Sequence, residues 1–252
     1  MMVQPVPGEP VAVATCGTER VLVLADYHAG LEVALRRDGV ELRSAADQRR
    51  AALVSLVDRE RPDRVLVLGD LSNAIGYPGD EERDELDALF ADLTERVPVT
   101  VAKGNHDGDL DDVVAELGYD DAVTVTEGPG VRLGDVGFAH GHTWPSRECV
   151  EAEMLCIAHE HPQVRLEDEV GGGRTERAWL RGQVNPDPFR EHFEEPVDVA
   201  GEFVMFPAFN DRVGGTWVNQ QRSFLSPFLP EGMHEAEAYL LDGTRLGDYR
   251  RV

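Results

Sequence analysis

Lysine is almost missing from this chain: Lys103 is the only one in 252 residues, and arginine supplies the rest of the positive charge. Against 24 basic residues stand 48 acidic ones, a net charge of -24. That balance excludes a broad cationic stripe for nucleic-acid backbones or anionic lipid. In dilute buffer such an excess opposes compaction by self-repulsion, whereas at molar salt the Debye length falls to about 3 Å and the repulsion is screened. The composition is therefore that expected of a halophilic protein.

Cysteine is scarce as well. Cys16, Cys149 and Cys156 form an odd set with no Cys-x-x-Cys pair, which excludes a disulfide framework and a thiolate metal site and fits a reducing cytosol. Cys156, inside the apolar run 154–158, reads as a buried, inert thiol. No apolar run reaches the roughly 18 to 20 residues a membrane span needs. Residues 1–10 are Pro-rich without an apolar signal core, so they read as a flexible tail on a cytoplasmic protein with no membrane association. Phosphate-cradling glycine loops and internal repeats are also missing, and Gly171-Gly-Gly173 reads as a flexible hairpin tip.

What is present is a 42% hydrophobic chain long enough to bury a full core, expected as a single domain over 1–252. Two runs share one form: Val21-Leu-Val-Leu-Ala-Asp26 and Val65-Leu-Val-Leu-Gly-Asp70 are apolar and β-rich, and each ends in aspartate. They read as buried parallel strands. Between them, apolar spacing predicts a helix over 44–60 with Pro62 as a stop, giving a βαβ unit. A second helix is predicted over 80–96, where Leu86, Leu89, Phe90 and Leu93 recur at helical spacing behind an acidic first turn. It leads into a strand at 99–102 and a short acidic helix at 109–117. Short β-rich pieces at 131–133, 136–140, 154–158, 203–206 and 238–241 predict a second, mostly antiparallel sheet packed on the first. The expected class is α/β, with two packed sheets flanked by helices.

Six of the eight histidines (His28, His106, His140, His142, His159, His161) fall in short clusters at or just beyond predicted strand ends, some beside Asp or Asn. Strand ends are where α/β sheets gather ligands, and scattered core histidines would not be distributed this way. In order the clusters read Asp26-x-His28, Gly69-Asp70, Gly104-Asn-His-Asp107, His140-Gly-His142 and His159-x-His161. This succession resembles the calcineurin-like metallophosphoesterases, with Gly-Asn-His-Asp its most specific element. Within that superfamily, Asp26-Tyr-His-Ala-Gly-Leu-Glu32, His140-Gly-His-Thr-Trp-Pro145 and His159-Glu-His-Pro162 look like the small archaeal SbcD-related phosphoesterases and the ligase-associated nuclease PdeM. The tail pieces Phe206-Pro-Ala-Phe209, Gly214-Gly215 and Ser226-Pro-Phe228 fit the same group. Ala158 departs from the pattern, standing where the family has glycine, and its methyl is expected to crowd the turn.

The resemblance implies a four-layer αββα sandwich and a dinuclear hydrolase of phosphoric esters. It places Asp26, His28 and His161 on one metal and Asn105, His140 and His159 on a second, with Asp70 bridging them. It further implies a metal-bridging hydroxide as nucleophile, His106 as a catalytic group that binds no metal, and Asp107 orienting the His106 ring. Carboxylate and imidazole donors suit Mn²⁺, Fe²⁺, Zn²⁺ or Ni²⁺ better than Ca²⁺, and two divalent ions, Mn²⁺ foremost, are expected. His142 is a candidate to contact substrate, to support a ligand, or to take the place of His140. Lys103 and Arg147 are candidates for the substrate phosphate, and Trp144 and Trp217 for base stacking or core packing. The expected substrate is a phosphodiester, which includes nuclease-like action in DNA repair through a helicase partner. The alternatives are a phosphomonoesterase and a catalytically silent scaffold, against which the intact ligand set argues.

Overall fold

In chain order the elements are β1 (Val3–Pro5), β2 (Ala12–Cys16), β3 (Glu19–Leu24), α1 (Leu31–Arg37), α2 (Ala46–Glu60), β4 (Arg64–Val67), α3 (Asp80–Thr94), β5 (Val99–Val101), α4 (Leu110–Leu117) and β6 (Val123–Val125). Next come β7 (Val131–Leu133), β8 (Val136–Phe138), α5 (Arg147–Val150), β9 (Met154–Ile157), β10 (Gln163–Glu167), β11 (Gly173–Val184), α6 (Pro186–Phe193), β12 (Glu202–Met205), β13 (Met233–Leu240) and β14 (Arg245–Asp248). This computed structural model describes residues 2–168, 171–194, 196–199, 201–220 and 224–252.

The two Val-Leu-Val-Leu runs lie side by side as parallel strands, with Val21 opposite Arg64 and Leu24 opposite Val67. They sit at the centre of a sheet of order β1-β2-β3-β4-β5-β6, parallel from β3 onward. Both faces of these strands are covered, which is why they read as unbroken apolar runs. Leu22, Leu24, Val65 and Val67 point to the helical side, where Leu53, Leu56 and Val57 of α2 and Leu86, Leu89, Phe90 and Leu93 of α3 close over them. Val21, Val23, Leu66 and Leu68 point the other way, onto the second sheet.

The second sheet has the order β14-β13-β11-β12-β9-β8-β7, with β10 paired to β11. Its centre is parallel, β8 beside β9 and β9 beside β12, while its other pairings are antiparallel. Phe138, Met154, Cys156, Trp179 and Phe206 fill the space between the sheets. Leu155, Ile157, Leu180 and Phe203 face outward beneath Cys149 and Val150 of α5 and Phe189 of α6. The result is the expected helix-sheet-sheet-helix layering. Gly171–Gly173 lies at the β10–β11 turn as anticipated, closed by Asp168 N–H to the Gly172 carbonyl at 2.8 Å.

The flexible tail expected over 1–10 is a correction. Val3–Pro5 forms an edge strand on β2, Val3 packs between the sheets, and Val6 and Val11 are buried against the helical layer. Short length and flanking prolines hid this strand, since Pro is tolerated at an edge where its missing N–H faces no partner. The three cysteines are buried, and burial pushes the Cys16 thiol up to about 11 and raises that of Cys156 further. Among the described residues, no helix is long and apolar enough to cross a membrane.

Candidate metal centre

Each expected ligand comes just after the C-terminal end of a parallel strand. Asp26 and His28 follow β3, Asp70 follows β4, Asn105 follows β5, His140 follows β8, and His159 and His161 follow β9. The first sheet thus supplies three of these loops and the second sheet two, all meeting at one end of the sandwich. Beyond the strands the ladder continues through Asp26 N–H to Gly69 O, His28 N–H to Asp70 O and Ala29 N–H to Leu71 O. These bonds lock the Asp26 and Asp70 turns to each other. Gly104 is required by close approach, because a Cβ there would stand 2.2 Å from Asp70 Oδ1.

The donor atoms collect into two groups. Asp26, His28, Asp70 and His161 form one, Asp70, His140 and His159 the other, and Asp70 belongs to both. Within the first, His161 Nε2 lies 3.3 Å from Asp26 Oδ1, and the Nε2 atoms of His28 and His161 are 3.4 Å apart. Within the second, His140 Nε2 is 3.3 Å from Asp70 Oδ2 and 3.2 Å from His159 Nδ1. Donors bound at about 2.1 Å to a common ion stand roughly 3.0 to 3.4 Å apart, so these spacings are those of a coordination shell. Among the described residues, both carboxylate oxygens of Asp26 and the Oδ1 of Asn105 are buried without a hydrogen bond, the imidazole of His161 being the near neighbour of Asp26. A buried carboxylate so placed is costly unless a cation completes it, and the residues present fit divalent metal on that ground.

Backbone carbonyls fix the imidazoles. His140 Nδ1 faces Leu68 O at 2.9 Å and His161 Nδ1 faces Gly214 O at 2.7 Å. A carbonyl only accepts, so each Nδ1 carries the proton and each Nε2 is left to ligate. Five of the expected ligands, Asp26 (φ 55°), His28 (49°), Asp70 (50°), His159 (68°) and His161 (44°), sit in the left-handed region. Strain of about 1 to 3 kcal/mol at each is held by the surrounding bonds, as at other pre-organised sites.

Burial pushes His28 and His159 down to about 4. For His140 burial acts against the charge, but the Asp70 carboxylate outweighs it and the imidazole rises to about 9. Asp70 responds in kind: burial opposes ionisation, yet His140, His28 and the His106 N–H hold it well below the usual carboxylate range. In the metal-free protein a proton on His140 therefore stands in for a cation.

His106 lies at the edge of the cluster, its ring centroid 5.1 Å from that of His28. Its N–H donates to Asp70 Oδ1 at 2.9 Å, and its Nδ1 bonds the Asn73 carbonyl. This corrects the role given to Asp107. That carboxylate accepts from Ser72 N–H at 3.0 Å and Gly104 N–H at 2.8 Å, tying the Gly-Asn-His-Asp turn to the Asp70 loop rather than touching the His106 ring. Burial and the nearby Asp70 charge push it up to about 6.

His142 contributes no atom to either ligand group, but its ring stands 5.5 Å from His140 and 6.2 Å from His159, beside the site. Lys103 pairs with Asp111 at 3.1 Å, and Arg147 pairs with Glu151 and the Pro196 carbonyl. Trp144 stacks on His192 and packs with Phe189 and Phe228, while Arg165 covers Trp217. Ala158 keeps a negative φ and buries its methyl between the sheets, so the expected crowding does not arise.

Sequence reasoning missed the supporting carboxylates. Glu160, between His159 and His161, is buried and accepts from the N–H groups of Leu225 and Ser226, both at 2.8 Å, and from the Thr216 hydroxyl at 3.0 Å. Glu32 and Glu85 clasp Arg49, whose guanidinium lies over the Tyr27 ring beneath the Asp26–His28 turn. The usable signal was position, since Glu32 and Glu160 lie within or beside the ligand motifs.

Four layers with paired acid and imidazole donors at the strand ends define a metallophosphoesterase. Residues 19–203 match the family model described as calcineurin-like phosphoesterase, and the chain belongs to that family. Among solved structures, the nuclease MPE of Pseudomonas putida superposes with a TM-score of 0.57 at 16% identity, covering 97% of this chain and 100% of that one. The E. coli phosphoesterase YfcE matches with a TM-score of 0.37 at 14% identity, over 90% of this chain and 96% of its own. No curated protein matches the sequence.

Proposed function

We propose that the protein is a two-metal phosphodiesterase, a reading carried by the two donor groups that share Asp70. Asp26, His28 and His161 would hold one ion, Asn105, His140 and His159 the other, with Asp70 between them. Two divalent ions, Mn²⁺ in the first instance, would neutralise charge on the phosphate oxygens and make water a nucleophile at neutral pH. His106 is the proton carrier of the chain itself. With Nδ1–H committed to the Asn73 carbonyl, the ring acts as an acid in its doubly protonated form, delivering the Nε2 proton to the leaving oxygen and returning to the Nδ1–H tautomer.

The diester preference follows from charge. A monoester dianion calls for arginine or lysine clamps, and the candidates Lys103 and Arg147 are engaged with Asp111 and with Glu151. A diester carries one negative charge and needs less. The test compares kcat/KM for bis-p-nitrophenyl phosphate and p-nitrophenyl phosphate with Mn²⁺ in concentrated KCl, corrected for leaving-group reactivity. The diester should be favoured, and a clear monoester preference would make the protein a phosphatase. Asp70→Asn should abolish turnover and lower metal content by elemental analysis while the fold persists, whereas full activity in that variant would end the two-metal model. His106→Ala should keep its metals and lose about 10² to 10⁴ fold in kcat.

A further inference from the structure

We infer that Glu82 is a positioning residue for His106, acting through the backbone of Asn73; the inference rests on the reading of His106 as proton donor. Glu82 stands in the first turn of α3 and is almost fully buried, at 7% exposure. Its Oε1 accepts from the N–H groups of Asn73 at 2.7 Å and Ala74 at 3.0 Å. Asn73 in turn offers its carbonyl to His106 Nδ1. The chain of contacts therefore runs from a rigid helix to a loop peptide to the ring.

The same helix turn reaches the other side of the site. Glu85, one turn further along α3, accepts from Gly30 N–H at 2.9 Å and pairs with Arg49 at 2.6 Å. Gly30 has no side chain where a Cβ would lie 2.7 Å from Glu82, so α3 packs directly on the turn after His28. An acidic first turn serves any helix dipole. Here Glu82 does something more local, because no cation pairs with it among the described residues and both N–H groups it binds belong to the loop that holds His106.

What Glu82 sets is the tautomer and direction of the ring. If the Asn73 carbonyl moves, His106 Nδ1–H loses its acceptor, the Nε2–H of the doubly protonated ring is no longer aimed at the leaving oxygen, and the neutral ring left after transfer divides between two tautomers. The effect should appear in proton transfer and not in metal binding or KM.

The experiment is a double-mutant cycle with two substrates and one spectroscopic readout. Glu82→Ala should lower kcat about 10 to 100 fold for a diester with an alkyl leaving group, where proton donation matters, and under about 3 fold for a p-nitrophenyl leaving group. Metal content and KM should be unchanged. Glu82→Gln keeps an acceptor oxygen and should retain wild-type kcat. In a His106→Ala background, adding Glu82→Ala should cost nothing further. In ¹⁵N-histidine-labelled, Zn²⁺-loaded protein, His106 should be the Nδ1–H tautomer in wild type and Glu82→Gln, and a mixture in Glu82→Ala. An equal loss on both substrates, an additive cycle or an unchanged tautomer in Glu82→Ala would overturn the proposal. If His106→Ala itself kept the wild-type rate on the alkyl diester, the reading of His106 would fall, and the tautomer measurement alone would decide whether Glu82 sets the ring.

Discussion

At the scale of single residues, the site is a balance of charges that titrate together. His140 rises from an ordinary 6.5 to about 9, so its protonated form stabilises the metal-free protein fully below pH 6.5, and that contribution is lost as pH rises through 9. His161 is raised too, and acts in the same direction. His28 and His159, lowered to about 4, and Asp107, raised to about 6, change charge below this window. Melting temperature in EDTA should therefore fall between pH 6.5 and 9, and that of Mn²⁺-loaded protein, where the ion would take the place of the Nε2 proton of His140, should be flatter. Metal affinity should drop about tenfold per pH unit below 9, since each ion at His140 displaces a proton. A metal-free melting temperature that climbs over this window would contradict the His140–Asp70 pairing.

At the scale of elements, the strands that carry the ligands were legible because double-sided burial makes parallel strands continuously apolar, and metal chemistry restricts the residue types at their ends. Asp26, Asp70 and the Gly104–Asp107 turn announced themselves in that way. The contacts that aim those side chains were not legible, because Leu68, Asn73 and Gly214 act through carbonyls that every residue has. Glu82 was hidden differently, among Asp80 and Glu81 in a turn where acidic residues serve the helix dipole. The Asp107 role was misread because neighbours in a tight turn point in different directions. Helix α6 went unseen although Asn185 capping Pro186 is a start signal, its side chain accepting from Asp187 N–H. One element-level test concerns the end of α2, where exposed Arg61 holds a left-handed φ of 49°. Arg61→Gly should stabilise the protein by about 0.5 to 1 kcal/mol, raising Tm by roughly 1 to 4 °C. A loss of stability would mean that the arginine side chain outweighs the backbone strain.

At the scale of the whole molecule, a charge of -24 spread over one sandwich should make folding depend on salt. Among the described residues few acids are buried (Asp26, Glu32, Asp70, Glu82, Asp107 and Glu160), so most of the excess charge lies nearer the surface, where salt screens it. Melting temperature should rise steeply between about 0.1 and 2 M KCl, beyond the point where Debye screening of an ordinary protein saturates. A flat profile would mark an ordinary acidic enzyme. The meeting of ligand loops from both sheets has a consequence for biosynthesis. His28 and His161, whose Nε2 atoms nearly touch, are 133 residues apart in the chain. At about 5 to 20 residues per second, a ribosome takes roughly 7 to 27 s to pass from one to the other. Throughout that interval the nascent chain displays Asp26 and then Asp70 without the imidazoles that complete either shell. On the two-metal reading, capture of both ions belongs to the end of translation, and a chain that stalls before β9 emerges lacks His159 and His161 and would hold metal poorly.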